Sequence, residues 1–333
     1  MRQAFEIAGL QVRPGERGAG WIQIAKTAAG SPIALPIVVF HGKADGPVLA
    51  IDAAAHGDEY EGVLSLISML RQLDPITIRG TLVAVPILNG PSFDAEVRGN
   101  PLERHFYDLN RSFPGEANGT ITQRIAAAYV SEVVKRASAV VSLHGGGNVF
   151  YLDGFVIAHS TGGSALDLIK AWGWKRFTDN PDVGVNRHQG TMHEKAAELG
   201  IPSITVEMGG GSHRSPEHLR RTKAEFMRGL RNIMIHFGLL EGQPERPKTL
   251  WKIRKQNSRL NDGGIMDLDD GIDIESQVAK GQRIITVYDA HGAVVEEVRA
   301  PFAGRVMGLP ASPLGYPGRI VTSVYEVIEE VRV

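Results

Sequence analysis

Four short segments of this 333-residue chain carry residue types whose order and spacing could do chemistry. The first, His56-Gly-Asp-Glu59, follows an apolar run that ends at Ala55. Open α/β sheets bind ligands at the carboxyl ends of their strands, and an imidazole and a carboxylate delivered there can share a divalent ion. Taken alone, the pair is better explained by Asp58 capping the next helix and Glu59 facing its positive end. The second segment, Leu143-His-Gly-Gly-Gly147, again closes an apolar run with a histidine, and its glycines let backbone approach a ligand closely. The third, Val206-Glu207-Met-Gly-Gly-Gly211, finishes a β-branched run on a carboxylate, which is costly to bury unless paired or used. Such a glutamate could take a proton from a metal-bound water. The fourth, Arg104-His-Phe-Tyr-Asp108-Leu-Asn110-Arg111-Ser-Phe-Pro-Gly115, holds cations, an amide and a carboxylate. Arginine beside asparagine suits capture of a carboxylate; a solvated loop with internal ion pairs explains the same residues.

These segments need elements to position them. Residues 36–40, 48–55, 80–88, 139–143, 155–158 and 203–207 read as strands from their short apolar runs bounded by Gly and Pro. Between them, 60–73, 120–137, 164–172, 193–199 and 216–237 carry the helical period, the last with Pro216 in its first turn. Strands alternating with helices predict an α/β fold, a mixed, largely parallel sheet covered on both faces. Residues 241–248, polar with two prolines, read as a linker. Beyond it the helical period disappears, and runs such as 283–288, 294–298 and 319–324 predict a small all-β C-terminal module. The expected division is therefore an α/β domain over 1–242, which carries all four segments, and a β-rich domain over 249–333.

Composition removes several classes. With no cysteine, disulfides and thiolate metal sites are excluded, so a metal here needs His and carboxylate ligands. A net charge of −1 gives no electrostatic reason to expect nucleic acid or an acidic membrane as partner. No apolar stretch reads as a signal peptide or a membrane span, so the expectation is a soluble cytoplasmic protein, with a homo-oligomer left open. His-Gly-Gly-Gly also occurs in lipases and esterases, but the Gly-x-Ser-x-Gly nucleophile elbow is missing. His193-Glu194 does not complete a zincin helix, because position 197 is Ala. His159, His188 and His236 receive no role.

Together, His56-x-x-Glu59, Asp108-Leu-Asn-Arg-Ser-Phe-Pro-Gly115, His144-Gly-Gly and Thr205-Val-Glu207-Met-Gly-Gly, in that order, resemble the succinylglutamate desuccinylase/aspartoacylase family, related to the zinc carboxypeptidases. The resemblance covers about the first 240 residues, and the tail also looks like the family's C-terminal module. It implies one zinc ion per chain on His56, Glu59 and His144, with an open fourth position as in catalytic sites. Asp108 matches the carboxylate that holds the first zinc histidine by its other nitrogen. Glu207 matches the catalytic glutamate, and Asn110 and Arg111 the pair that binds a substrate carboxylate. The family's oxyanion-stabilising arginine has two candidates upstream, Arg98 and Arg104, of which Arg104 stands nearer the Asp-Leu-Asn-Arg core.

The function implied is zinc-dependent cleavage of the amide of a small N-acyl amino acid, with Glu207 as general base and acid. Deacetylation of a substrate such as N-acetyl-diaminobutyrate belongs to the range such families cover. The alternatives are a metallocarboxypeptidase trimming peptides and a non-catalytic metal-binding module.

Overall fold

The computed structural model describes residues 2–158, 164–179, 190–211 and 215–333; His159 and His188 lie outside them. The chain opens with β1 (Phe5–Ile7), β2 (Leu10–Val12), β3 (Glu16–Lys26), β4 (Pro32–His41) and β5 (Ala44–Ala53). It continues through α1 (Tyr60–Gln72), β6 (Arg79–Val85), α2 (Gly90–Asp94), α3 (Ile121–Glu132) and β7 (Ala139–His144). Then come β8 (Phe150–Ile157), α4 (Ser164–Trp172), β9 (Arg176–Thr178), α5 (Met192–Glu198), β10 (Ser203–Gly210) and α6 (Pro216–His236). The rest is β: β11 (Thr249–Arg259), β12 (Gly264–Leu268), β13 (Gln277–Val278), β14 (Arg283–Tyr288), β15 (Val294–Arg299), β16 (Gly304–Pro310), β17 (Leu314–Gly315) and β18 (Ile320–Arg332).

Local sequence explains the main elements. Every residue of β7 is buried, as a continuous apolar run flanked by helices requires. In α1, Val63, Leu66, Met69 and Leu70 are buried at the three- and four-residue spacing of one helical face. Thr120 and Gln123 form a reciprocal capping box that starts α3. Ser215 caps α6, with Pro216 at its first turn. One core layer packs α1, α4 and α6 against the sheet through Leu66, Leu168, Phe226 and Leu230. The other packs α3 and α5 against the opposite face through Ile125, Tyr129, Met192 and Ala196.

The sheet is mixed. Strands β6, β5, β7 and β10 form its parallel centre, and β8, β4 and β3 join by antiparallel pairing. The expected linker falls in the coil between α6 and β11, but the tail does not form a wholly separate sheet. Strand β11 pairs in parallel with β9 and antiparallel with β18, and β16 bridges β18 to β8. The circuit β8–β9–β11–β18–β16 thus closes on itself, while β15, β14, β12 and β17 make a separate four-stranded sheet. This closure brings tail residues over the carboxyl ends of the central strands. Among the described residues, no helix is long and apolar enough to cross a membrane.

Candidate metal centre

Backbone conformation delivers His56 and Glu59. Strand β5 ends at Ala53, and the buried Ala54 turns the chain with φ at +52°, a conformation uncommon for a residue with a side chain. Gly57 then presses against α2, where a Cβ would meet the Ser92 backbone at 2.0 Å. Glu59 sits at the N-cap of α1 without making a side-chain capping bond. Asp58 does not cap the helix either; its Oδ2 accepts from the Asn148 N–H at 3.0 Å, tying this loop to the glycine-rich loop after β7. Gly147 has φ of +61°, and a Cβ there would lie 2.2 Å from that carboxylate. The two histidine-bearing loops are therefore clasped together.

His56, Glu59 and His144 are buried with one ligand atom from each within 4.8 Å of the others. His56 Nδ1 lies 2.7 Å from Glu59 Oε1, and His144 Nδ1 lies 2.9 Å from Glu59 Oε2. The two Nδ1 atoms stand 3.2 Å apart. The outer nitrogens are engaged elsewhere: His56 Nε2 lies 3.1 Å from Asp108 Oδ1, and His144 Nε2 lies 3.1 Å from Ser142 Oγ. With protons on those outer nitrogens, two lone pairs and a carboxylate face one point. Glu59 Oε2 is accordingly buried without a hydrogen-bond donor despite its proximity to His144. Arg98 Nη1 stands 3.3 Å from His56 Nδ1, and a proton or a cation at the shared point reconciles the remaining groups; His₂Glu is the donor set of catalytic zinc sites. The residues fit a metal ion.

Charges adapt to this crowding. Burial and Arg98 push the His56 imidazole down, but Glu59 and Asp108 outweigh both and hold it up at about 9. Burial would raise Glu59 and Asp108; the facing histidines, with Arg98 and Arg111 at Asp108, instead keep both carboxylates well below their usual range. Glu207 behaves oppositely. It sits across from His144 in the β10–β7 ladder, at the end of regular pairing, where the register shifts before Gly209. It keeps part of its surface open, yet burial of the rest, helped by Glu59, pushes its carboxyl up to about 7.

A cleft of about 540 Å³ opens over these groups and is lined by His56, Glu59, Glu207, Arg98, Asp108, Asn110 and Arg111. Arg98 reaches Asp108 Oδ2 at 3.0 Å and Glu59 Oε1 at 3.6 Å with a half-exposed side chain. Arg104 is not brought to the site; it lines a separate surface depression with Lys26, His105 and Arg124. The cause is a pinched loop: the Asn100 N–H donates to the Tyr107 carbonyl at 3.2 Å. Residues 98 and 108 thereby become neighbours, while 104 is carried out on the loop. Asp108 also accepts the Asn110 N–H at 2.8 Å, capping the short turn that bears Asn110 and Arg111. Asn110 Oδ1 accepts the Met192 N–H at 3.0 Å, and its NH₂ remains as the amide's donor.

The tail contributes Lys255, Asn257 and Arg259 from β11, and Arg319, to the same cleft. Arg319 donates to the Val149 carbonyl at 3.0 Å, pinning the tail to the loop after β7. Sequence reasoning missed these four. Their local signal is weak, since cations on an amphipathic strand are ordinary until long-range pairing shows what they face.

Residues 45–234 match the catalytic-domain model of the succinylglutamate desuccinylase/aspartoacylase family, and the chain belongs to that family. It is 28% identical over 316 residues to an N-alpha-acetyl-L-2,4-diaminobutyric acid deacetylase of Halomonas elongata, covering 91% of this chain and 88% of the relative. The product-bound ectoine utilization protein EutE (DoeB) of Ruegeria pomeroyi superimposes with a TM-score of 0.82 at 27% identity, over 94% of this chain and 96% of that one. A succinylglutamate desuccinylase from Silicibacter sp. TM1040 shares the fold, with a TM-score of 0.83 at 24% identity over 95% and 96% of the two chains. The fold and family are those of deacylase-type hydrolases of amide bonds.

Proposed function

We propose that this protein is a zinc-dependent hydrolase that cleaves the amide of a small N-acyl amino acid. The observation that carries the reading is the convergence of His56 Nδ1, His144 Nδ1 and the Glu59 carboxylate on one buried point beside Glu207. A zinc ion held there would supply Lewis acidity, polarising the scissile carbonyl and acidifying the attacking water. Asp108 holds the His56 ring by its outer nitrogen. Glu207, raised to about 7, takes a proton from the attacking water and returns it to the leaving amine. Arg98, in place of Arg104, faces the charge that develops on the carbonyl oxygen, a contribution typically worth about 3–4 kcal/mol. Arg111 with Asn110 anchors the substrate's carboxylate and sets the amide over the centre.

Residues 1–242 act as the catalytic domain, and 249–333 as a β-rich domain that roofs the cleft. Among the described lining residues, Arg98, Arg111, Lys255, Arg259 and Arg319 outnumber Glu59, Asp108 and Glu207. This balance suits small anionic substrates. The roofing by Lys255 and Arg319 favours them over the peptides of a metallocarboxypeptidase, and the retention of Glu207 argues against a non-catalytic module. The test is hydrolysis of a panel of N-acetyl and N-succinyl amino acids and short peptides, before chelation, after chelation and after zinc is restored. Zinc-restored release of acyl groups from small N-acyl amino acids is expected; turnover of peptides alone would hand the reading to a carboxypeptidase.

A further inference from the structure

We infer that Asp52 and Ser142 form a buried relay that fixes the His144 ring in the tautomer a metal requires, which makes Asp52 a positioning residue for the centre. The inference rests on the reading of His144 as a metal ligand. Strands β5 and β7 are parallel neighbours with Asp52 opposite Ser142 in register. Alternation along β7 places Ser142 and His144 on one face of the sheet. Asp52, Ser142, His144 and Tyr129 are all buried.

With Asp52 ionised, the state its two hydroxyl donors favour, the proton count leaves one arrangement. The Asp52 carboxylate accepts from Ser142 Oγ–H at 2.6 Å and from Tyr129 O–H at 2.7 Å. A serine hydroxyl has one proton, and here it is given to Asp52. Toward His144 Nε2, 3.1 Å away, Ser142 Oγ can therefore only accept. The imidazole proton sits on Nε2, and Nδ1 keeps its lone pair toward Glu59 and His56. Burial pushes the Asp52 carboxyl above its ordinary range, and its two hydroxyl donors and His144 only partly oppose that rise. A carboxylate buried near the end of an interior strand is costly without such bonds. His56 is held directly by a carboxylate at the rim, Asp108, whereas His144 is held through a serine by a carboxylate in the core.

Asp52→Asn tests the relay with almost no change of shape. Tyr129 O–H holds the new amide oxygen, so the amide NH₂ donates to Ser142 Oγ. The serine proton then turns to His144 Nε2, and the ring proton is driven onto Nδ1, where the metal belongs. Zinc affinity, measured by chelator competition, is expected to weaken about 10–100-fold, while the metal-free variant keeps a cooperative melt and a native far-UV spectrum. Ser142→Ala is expected to weaken zinc and Ser142→Thr, which keeps the hydroxyl, to recover it. In zinc-loaded wild type, ring-nitrogen NMR should show a His144 Nε2–H protected from exchange, and Ser142→Ala should lose that protection. Wild-type zinc affinity in both Asp52→Asn and Ser142→Ala would overturn the relay alone. Failure of the wild type to bind zinc would overturn the metal centre, and the relay with it.

Discussion

The floor of the cleft and its mouth are built on different principles. On the floor, His56, Glu59 and His144 are buried and interlocked, each histidine held by a polar group behind it. At the mouth, Arg98 and Arg259 are exposed, and the arginines are tied largely to backbone carbonyls: Arg111 to Asn110, Arg259 to Gly318, Arg319 to Val149. Floor groups cannot move without leaving a buried polar atom unpaired, so they define the chemistry. Mouth groups can exchange a carbonyl for a substrate oxygen at small cost, so they define what is held over it.

The comparison predicts losses of different kind. On the floor, His144→Ala should remove bound zinc and turnover together for every substrate; full zinc occupancy in that variant breaks its assignment as ligand. Glu207→Gln should keep zinc but lower kcat by about 10²–10⁴, and retained activity removes Glu207 as the base. At the mouth, Arg111→Ala should raise KM about 10–100-fold for substrates with a free carboxylate and much less for their esters, as loss of a charge-assisted bond implies. Arg104→Ala should leave both constants unchanged, because that side chain lines another depression. Lys255→Met, which keeps the apolar stem, should raise KM several-fold for substrates with a side-chain carboxylate and little for N-acetylalanine. An equal effect on both would place Lys255 outside recognition of the side chain.

A last expected effect is on stability, and it separates metal-free from metal-bound protein. The His56 imidazole is held above its ordinary 6.5 at about 9, so in the metal-free protein its contribution is full below 6.5 and is lost as pH rises through 9. Glu207, raised from 4.5 to about 7, favours the folded state in its protonated form and loses that advantage as pH rises through 7. Glu59 and Asp108, held low, contribute above their ordinary values and lose that contribution only in acid. Metal-free Tm should therefore fall between pH 6 and 9. Zinc affinity should rise over the same range, because the ligands must shed protons to bind. A metal-free Tm that is flat or rising there would contradict the charge assignments on the floor.

The parts legible in the sequence are those set by local pattern. The apolar run of β7, the helical period of α1 and the strand-end position of His144 follow from residue types within a few positions, whereas β10 runs three residues past Glu207, where only its pairing with β7 stops. The tail's union with the catalytic sheet does not, because pairing of β11 with β9 and of β16 with β8 joins segments far apart in the chain. Strand β3, on the sheet edge, opens with charged residues and two glycines and is largely apolar only from Trp21 to Ala25, so its full length has no continuous apolar signature. The choice between Arg98 and Arg104 turned on nearness in sequence, and the hydrogen bond from Asn100 to Tyr107 reverses that nearness in space. Asp52 and Ser142 stand inside runs that read as apolar, and only the register of β5 on β7 joins them to His144.

The most direct test of the central claim is anomalous diffraction at the zinc edge from crystals of the zinc-loaded protein. One peak per chain, bounded by His56 Nδ1, His144 Nδ1 and Glu59 at about 2.0–2.2 Å, is the predicted result. A fully active protein whose only zinc peak lies away from these three side chains would contradict it.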